Sequence, residues 1–321
     1  GKALIRAYYG RAQALTYFVG GSKGGEEAMM AVQRFPREFD AALIGYPGFH
    51  LAYASIAQLW DGQAFASVAK AMGNIGSDGL PLVNKAMSDD DIVLAQQAIL
   101  AACDNLDGTK DGMIENFTAC TTARVLPELA KVTCRSDLAA DKTSSCLLPI
   151  QVAALRRVMG GPLTREGKPI YSDWAWDAGI GARTAHGVTQ GWRMWKMGTY
   201  ASPTNNGALL RLGAPSNSAV FRSPPLDVAD DVTSLTRYAL TADMDEAYAA
   251  AHVKWGTLNE AAVDFMHADA NDLSAFTARG GKIIVFQGVS DPVFSINDTL
   301  RWLNAVNRRE KGNAGRFVKF Y

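Results

Sequence analysis

The 321-residue chain carries 32 basic and 32 acidic side chains, and 48% of its residues are hydrophobic. That balance excludes a basic face for nucleic acid and an acidic tail, and the length admits one large or two ordinary domains. No apolar run is long enough to cross a bilayer, and Gly1–Gly10 lacks the charged start and apolar block of a secretion signal.

Leu15-Thr16-Tyr17-Phe18-Val19 is β-branched, aromatic and apolar, which predicts a buried strand running into Gly20-Gly21-Ser22-Lys23-Gly24-Gly25. A helix is expected from about Lys23 to Arg34, with Glu26 and Glu27 in its first turn, Arg34 in its last and Pro36 beyond. Phe39–Gly45 reads as a second strand, so the three elements make a parallel βαβ unit. The following two hundred residues hold helical patterns, all four cysteines, several Asp-Gly turns and most of the tryptophans. The α/β pattern returns near Asp272. A short helix is expected over Leu273–Arg279, a strand over Lys282–Phe286, a loop at Gly288–Pro292, a helix over about Asn297–Val306 and a last strand over Arg316–Tyr321. The expected class is α/β, with a doubly wound, mostly parallel sheet. The core would occupy 1–50 and 268–321, split by a large insertion over 51–267.

Cys103, Cys120, Cys134 and Cys146 allow three pairings. Nearest-neighbour pairing closes two short loops; four buried thiols are the other reading. Zinc is disfavoured by the absence of C-x-x-C spacing. We carry forward the pairs Cys103–Cys120 and Cys134–Cys146, which imply a secreted or periplasmic protein. Between the first two, Asp104, Asp107 and Asp111 put three carboxylates in eight residues with two Asp-Gly turns. Hard cations take oxygen ligands, but a solvated acidic turn has the same composition, and the pattern is not an EF-hand.

Gly20-Gly21-Ser22-Lys23-Gly24 fits G-x-S-x-G, and its strand–turn–helix setting is that of a nucleophile elbow. Ser22 is the expected nucleophile, and the Lys23 N–H half of an oxyanion hole. The rival reading, a phosphate-binding glycine loop, lacks a Walker lysine or a dinucleotide pattern. Triads on such sheets run Ser, acid, His, and Asp291 follows a core strand where the acid belongs. His50, His186, His252 and His267 all precede it. The base is therefore expected after Tyr321, in a longer polypeptide; a catalytically dead protein is the alternative. Trp174, Trp176, Trp192 and Trp195 suit an aromatic acyl group as a set, and Arg193 is a candidate partner for a substrate carboxylate.

Taken together, these blocks resemble the tannase and feruloyl esterase family, which also holds the hydrolase of a terephthalate monoester. The match runs from Tyr8-Tyr9-Gly10 through Tyr17–Gly25 and Gln33–Asp40, then Cys103–Gly108, Cys146–Gln151 and Gly280–Pro292. The resemblance implies that the insertion is a lid and that the substrates are small esters of aromatic, phenolic acids. It also implies structural Ca²⁺ held by the carboxylates of Asp104, Asp107 and Asp111 and the carbonyls of Thr109 and Met113. One departure stands out: the family usually has a cysteine directly before the serine, where this chain has Gly21. The expected activity is a serine carboxylesterase. An acyltransferase with the same triad, or an inactive calcium-stabilised binding protein, are its rivals.

Overall fold

A computed structural model describes residues 1–183, 191–257 and 259–321. The chain forms two compact units: Gly1–Phe49 with Ala268–Gly288 and Thr299–Tyr321, and His50–His267 with Val289–Asp298.

The first unit is built on a four-stranded sheet in the order β1 (Tyr17–Gly21), β2 (Ala41–Gly45), β3 (Lys282–Phe286) and β4 (Val318–Phe320), every neighbour parallel. β1 begins later than its sequence suggests. The Asp40 carboxylate and backbone hold Thr16 (2.7 and 2.8 Å) where a ladder would otherwise start. The helix Lys23–Arg34 follows β1 directly and lays Ala28, Met29 and Val32 on the sheet. Ala42 and Ile44 of β2, Ile283 and Val285 of β3, and Trp302 and Val306 of the helix Ile296–Arg309 complete that core. The pleat sends alternate residues to the other side. Val19, Leu43 and Ile284, in register across three strands, are 68%, 37% and 43% exposed there. Parallel sheets are ordinarily covered on both faces, so this side is an open apolar surface of the unit as described.

The second unit is helical. Its central helix, Leu51–Ala71, is apolar around nearly its whole circumference, which is what a helix surrounded by others requires. Around it pack Pro149–Met159, Ala208–Pro215 and Val232–Thr241. Asp89–Cys103 starts at a capping box made by Ser88 and Asp91. Cys103 pairs with Cys120 and Cys134 with Cys146, and no described cysteine is free. Among the described residues no helix is long and apolar enough to cross a membrane.

The sequence placed all of 268–321, and His50, with the sheet. In the structure His50 and 289–298 belong to the helical unit. The physical reason is a set of bonds distant in sequence. Ser290 donates to the Asp177 carboxylate, the Ser295 amide to the Tyr171 hydroxyl (3.2 Å), the Ser295 hydroxyl to the Asp173 carbonyl (2.5 Å), and the Asp298 carboxylate meets His50 (2.9 Å).

Candidate active site

Ser22 sits between the end of β1 and the first turn of its helix at φ 61°, ψ −121°. A non-glycine residue with positive φ is strained by about 1–3 kcal/mol, and such strain persists only where its surroundings enforce it. Here the enforcement is visible. The Ser22 N–H donates to Gly45 O of β2 (2.9 Å), and its carbonyl accepts from the Gly25 and Glu26 amides (3.0 and 3.1 Å). The flanking glycines do unequal work. A Cβ on Gly20 would lie 2.0 Å from Gly24 O, and one on Gly25 2.5 Å from Gly45 O. One on Gly24 itself would meet open space. Lys23 opens the helix, so its amide is among the N–H groups with no acceptor inside the helix.

Two features of this elbow were not legible in the motif. A Cβ on Gly21, the position where the family usually has cysteine, would lie 2.6 Å from the Tyr46 hydroxyl. Tyr46 closes over that space, with its ring edge-on to Phe286 at 5.8 Å. One turn beyond Ser22, the Glu26 carboxylate is wholly buried. One oxygen takes the Lys23 ammonium at 2.5 Å and the other has no hydrogen-bond partner. Burial pushes the Glu26 carboxyl above its ordinary range, against the pull of Lys23.

Asp291 belongs to the second unit, on the loop after β3. Its Oδ1 accepts from the Val293 and Phe294 amides (2.8 and 3.1 Å), so the carboxylate is oriented by the turn that follows it. Of the histidines, His50 has Nδ1 against both oxygens of the buried Asp298 (2.9 and 3.0 Å). Its ring stacks on Tyr53 and meets His267 edge-on. His252 is engaged through Nε2 with the Tyr53 hydroxyl (2.9 Å) and through Nδ1 with Tyr248 O (2.8 Å). His186 lies outside the described residues. The His50–Asp298 pair joins residues 248 apart in sequence, and the only local signal was an Asp in the first turn of a helix.

The tryptophan set and Arg193 are placed differently from the pocket expected of them. Trp174, Trp176 and Trp192 are buried in the core of the second unit; only Trp195 is half-exposed. The Trp174 ring receives the Lys196 ammonium at 3.5 Å, and that ammonium pairs with Asp61 at 2.5 Å with both side chains fully buried. The Arg193 guanidinium is equally committed. It donates to the carbonyls of Gly198, Asn84 and Met87 and pairs with Asp89 at 2.8 Å. In this structure it therefore tethers chain segments rather than presenting donors to a substrate.

In the loop Asp104–Met113, Asp104 Oδ1 accepts from the Asp111 and Gly112 amides. Asp107 accepts from Thr109 and Glu115 with its two oxygens, and Asp111 Oδ1 from Met113. These bonds wrap the backbone around its own carboxylates, and one oxygen each of Asp104 and Asp111 takes no part in them. With the Thr109 and Met113 carbonyls, every candidate donor is a hard oxygen, the chemistry that suits Ca²⁺.

A parallel sheet with a strand that turns through a positive-φ serine directly into a helix is an arrangement of the α/β-hydrolase type. The chain belongs to the tannase and feruloyl esterase family, whose model matches residues 1–321. It is 37% identical over 318 residues to the mono(2-hydroxyethyl) terephthalate hydrolase of Piscinibacter sakaiensis, covering 98% of this chain and 52% of that protein. It is 24% identical over 329 residues to a probable feruloyl esterase B of Aspergillus clavatus, covering 100% and 50%. The fold matches an esterase from Aspergillus oryzae (TM-score 0.67, 20% identity, 99% of this chain and 53% of that one). It also matches feruloyl esterase B from the same organism (TM-score 0.62, 19% identity, 100% and 53%). The chain thus spans about half the length of the curated relatives it matches.

Proposed function

We propose that this chain forms part of a serine carboxylesterase that hydrolyses small esters of aromatic acids through an acyl-enzyme. The observation that carries the reading is the strained serine of the elbow, which the fold holds at φ 61°. Such strain serves no packing purpose that glycine would not serve better. Ser22 Oγ attacks the ester carbonyl, and the Lys23 amide stabilises the oxyanion. A histidine oriented by Asp291 takes the serine proton and returns it to the leaving alcohol. Water then releases the acid. The names of the relatives, a terephthalate monoester hydrolase and feruloyl esterases, support an aromatic acyl group. The disulfides support an oxidising, secreted or periplasmic setting. Asp104, Asp107, Thr109, Asp111 and Met113 would hold a structural Ca²⁺; the bound cation offsets the mutual repulsion of three carboxylates and takes no part in the reaction.

The test is hydrolysis of feruloyl, galloyl, terephthaloyl and short aliphatic esters by the full-length enzyme, with and without Ser22→Ala. The aromatic esters should be preferred, and the variant should lose about 10⁴-fold or more of the rate. Near-normal turnover in the variant would overturn the nucleophile, and indifference between acyl groups the substrate class.

A further inference from the structure

Trp60 and Arg157, in the second unit, form a pair that the proposed chemistry does not use. The Trp60 indole N–H donates to the Arg157 carbonyl (3.0 Å), and the Arg157 guanidinium sits 3.9 Å from the centroid of the Trp60 ring. Its Nε is buried and has no hydrogen-bond partner, and no described carboxylate forms an ion pair with it. Arg157 is partly buried, which pushes the guanidinium down from its ordinary value, with Asp61 pulling the other way. The neighbouring Arg165 is a useful contrast. It is well exposed, and Asp243 meets it at 2.8 Å.

The pair opens onto a cavity of about 630 Å³ whose walls are Leu126, Pro149, Val152 and Leu163. Among the described residues its lining holds Arg156 and Arg157 and no acidic side chain. Gly161, at φ 77°, brings the backbone against Ser172 on one side, where a Cβ would fall 2.5 Å from Ser172 O. The volume is that of a small-molecule site, apolar with a few converging charges.

We propose that this cavity binds an aromatic monocarboxylate, its carboxylate on the Arg157 fork and its ring against the apolar wall. A carboxylate held by a guanidinium fork lies in the guanidinium plane, and a benzoate carries its ring onward in that same plane. The ring then covers Leu126, Val152 and Leu163, and the anion takes the terminal Nη donors of Arg157, for which the described residues supply no acceptor, while Nε stays buried. The site does not depend on the esterase reading. If that reading holds, the ligand belongs to the class of acid that the reaction releases, and the cavity becomes a second place for product to bind.

Benzoate binding is measured by chemical-shift titration of the protein carrying Ser22→Ala, which prevents turnover of any ester impurity. The expected dissociation constant is about 1 mM, the range of a single charged contact plus one ring. Benzyl alcohol and inorganic phosphate should each bind about tenfold or more weakly. Arg157→Met should weaken benzoate about tenfold. Val152→Trp, which fills the cavity and keeps the charge, should do the same if the arginine variant fails to fold. Wild-type affinity in either folded variant overturns the proposal, as does phosphate binding as tightly as benzoate, which marks a bare anion site.

Discussion

Asp61 and Lys196 meet with both side chains wholly buried, the ammonium against the Trp174 ring and one Asp61 oxygen without a hydrogen-bond partner. Desolvation outweighs the attraction of Lys196 and raises the Asp61 carboxyl from 3.8 to about 6. The folded chain therefore holds a proton that the unfolded chain has released between those pH values. The associated stabilisation is complete below about pH 3.8 and is lost as pH rises through about 6. Lys196→Met should cost about 3–5 kcal/mol near neutral pH, because it strands a buried carboxylate. Asp61→Leu with Lys196→Met should be nearly neutral there, and should remove that segment of the pH dependence. Denaturant melts at pH 5 and pH 7.5 check both points. A double variant that retains the wild-type slope would show that another group is responsible.

The elements differ in how far their neighbours in sequence determine them. The elbow could be read in advance because its parts are contiguous: a strand, a glycine-flanked serine, a helix. The same holds for the short disulfide loops. The tryptophan set misled because aromatic composition does not tell which way a side chain faces. Three of the four rings face the core, and two of them, Trp174 and Trp192, lie near the buried Lys196 ammonium. The burial of Glu26 and the closure of Tyr46 over Gly21 depend on partners across the sheet, beyond any local pattern. The loop Asp104–Met113 is the element on which metal binding is expected to act. Calcium binding only the folded form should raise the melting temperature with the logarithm of its excess over the dissociation constant. EDTA should lower it, and Asp107→Ala should abolish the difference. Equal melting of the unaltered protein in EDTA and in calcium would leave the loop as an acidic turn, closed by its own amides.

At the scale of the whole molecule, the two units could be anticipated from the change of pattern near residue 50 and again near 272. The membership of 289–298 could not, since it rests on bonds to Asp173, Asp177, Tyr171 and His50. The open face presented by Val19, Leu43 and Ile284 was equally hidden, because a parallel strand reads as apolar on both sides whether or not both are covered.

The sheet's connectivity also sets a timetable. β2 and β3 are neighbours, yet all of residues 46–281 lie between them in the chain. During synthesis β1 and β2 emerge well before β3 and β4, and until then β2 lacks the neighbour it has on its β3 side. The helical unit draws most of its core, and both disulfides, from the continuous run 50–267. It can consolidate while β3 and β4 are still unmade. Pulsed hydrogen exchange during refolding with the disulfides intact should protect amides of the helix Leu51–Ala71 before that of Ile283, which donates to Phe317 O once β3 is in place. Protection of Ile283 first would reverse the order. On this timetable the strained turn at Ser22, whose amide needs Gly45 of β2, settles only as β3 and β4 join the sheet, so an interrupted chain exposes an unstrained, glycine-rich loop.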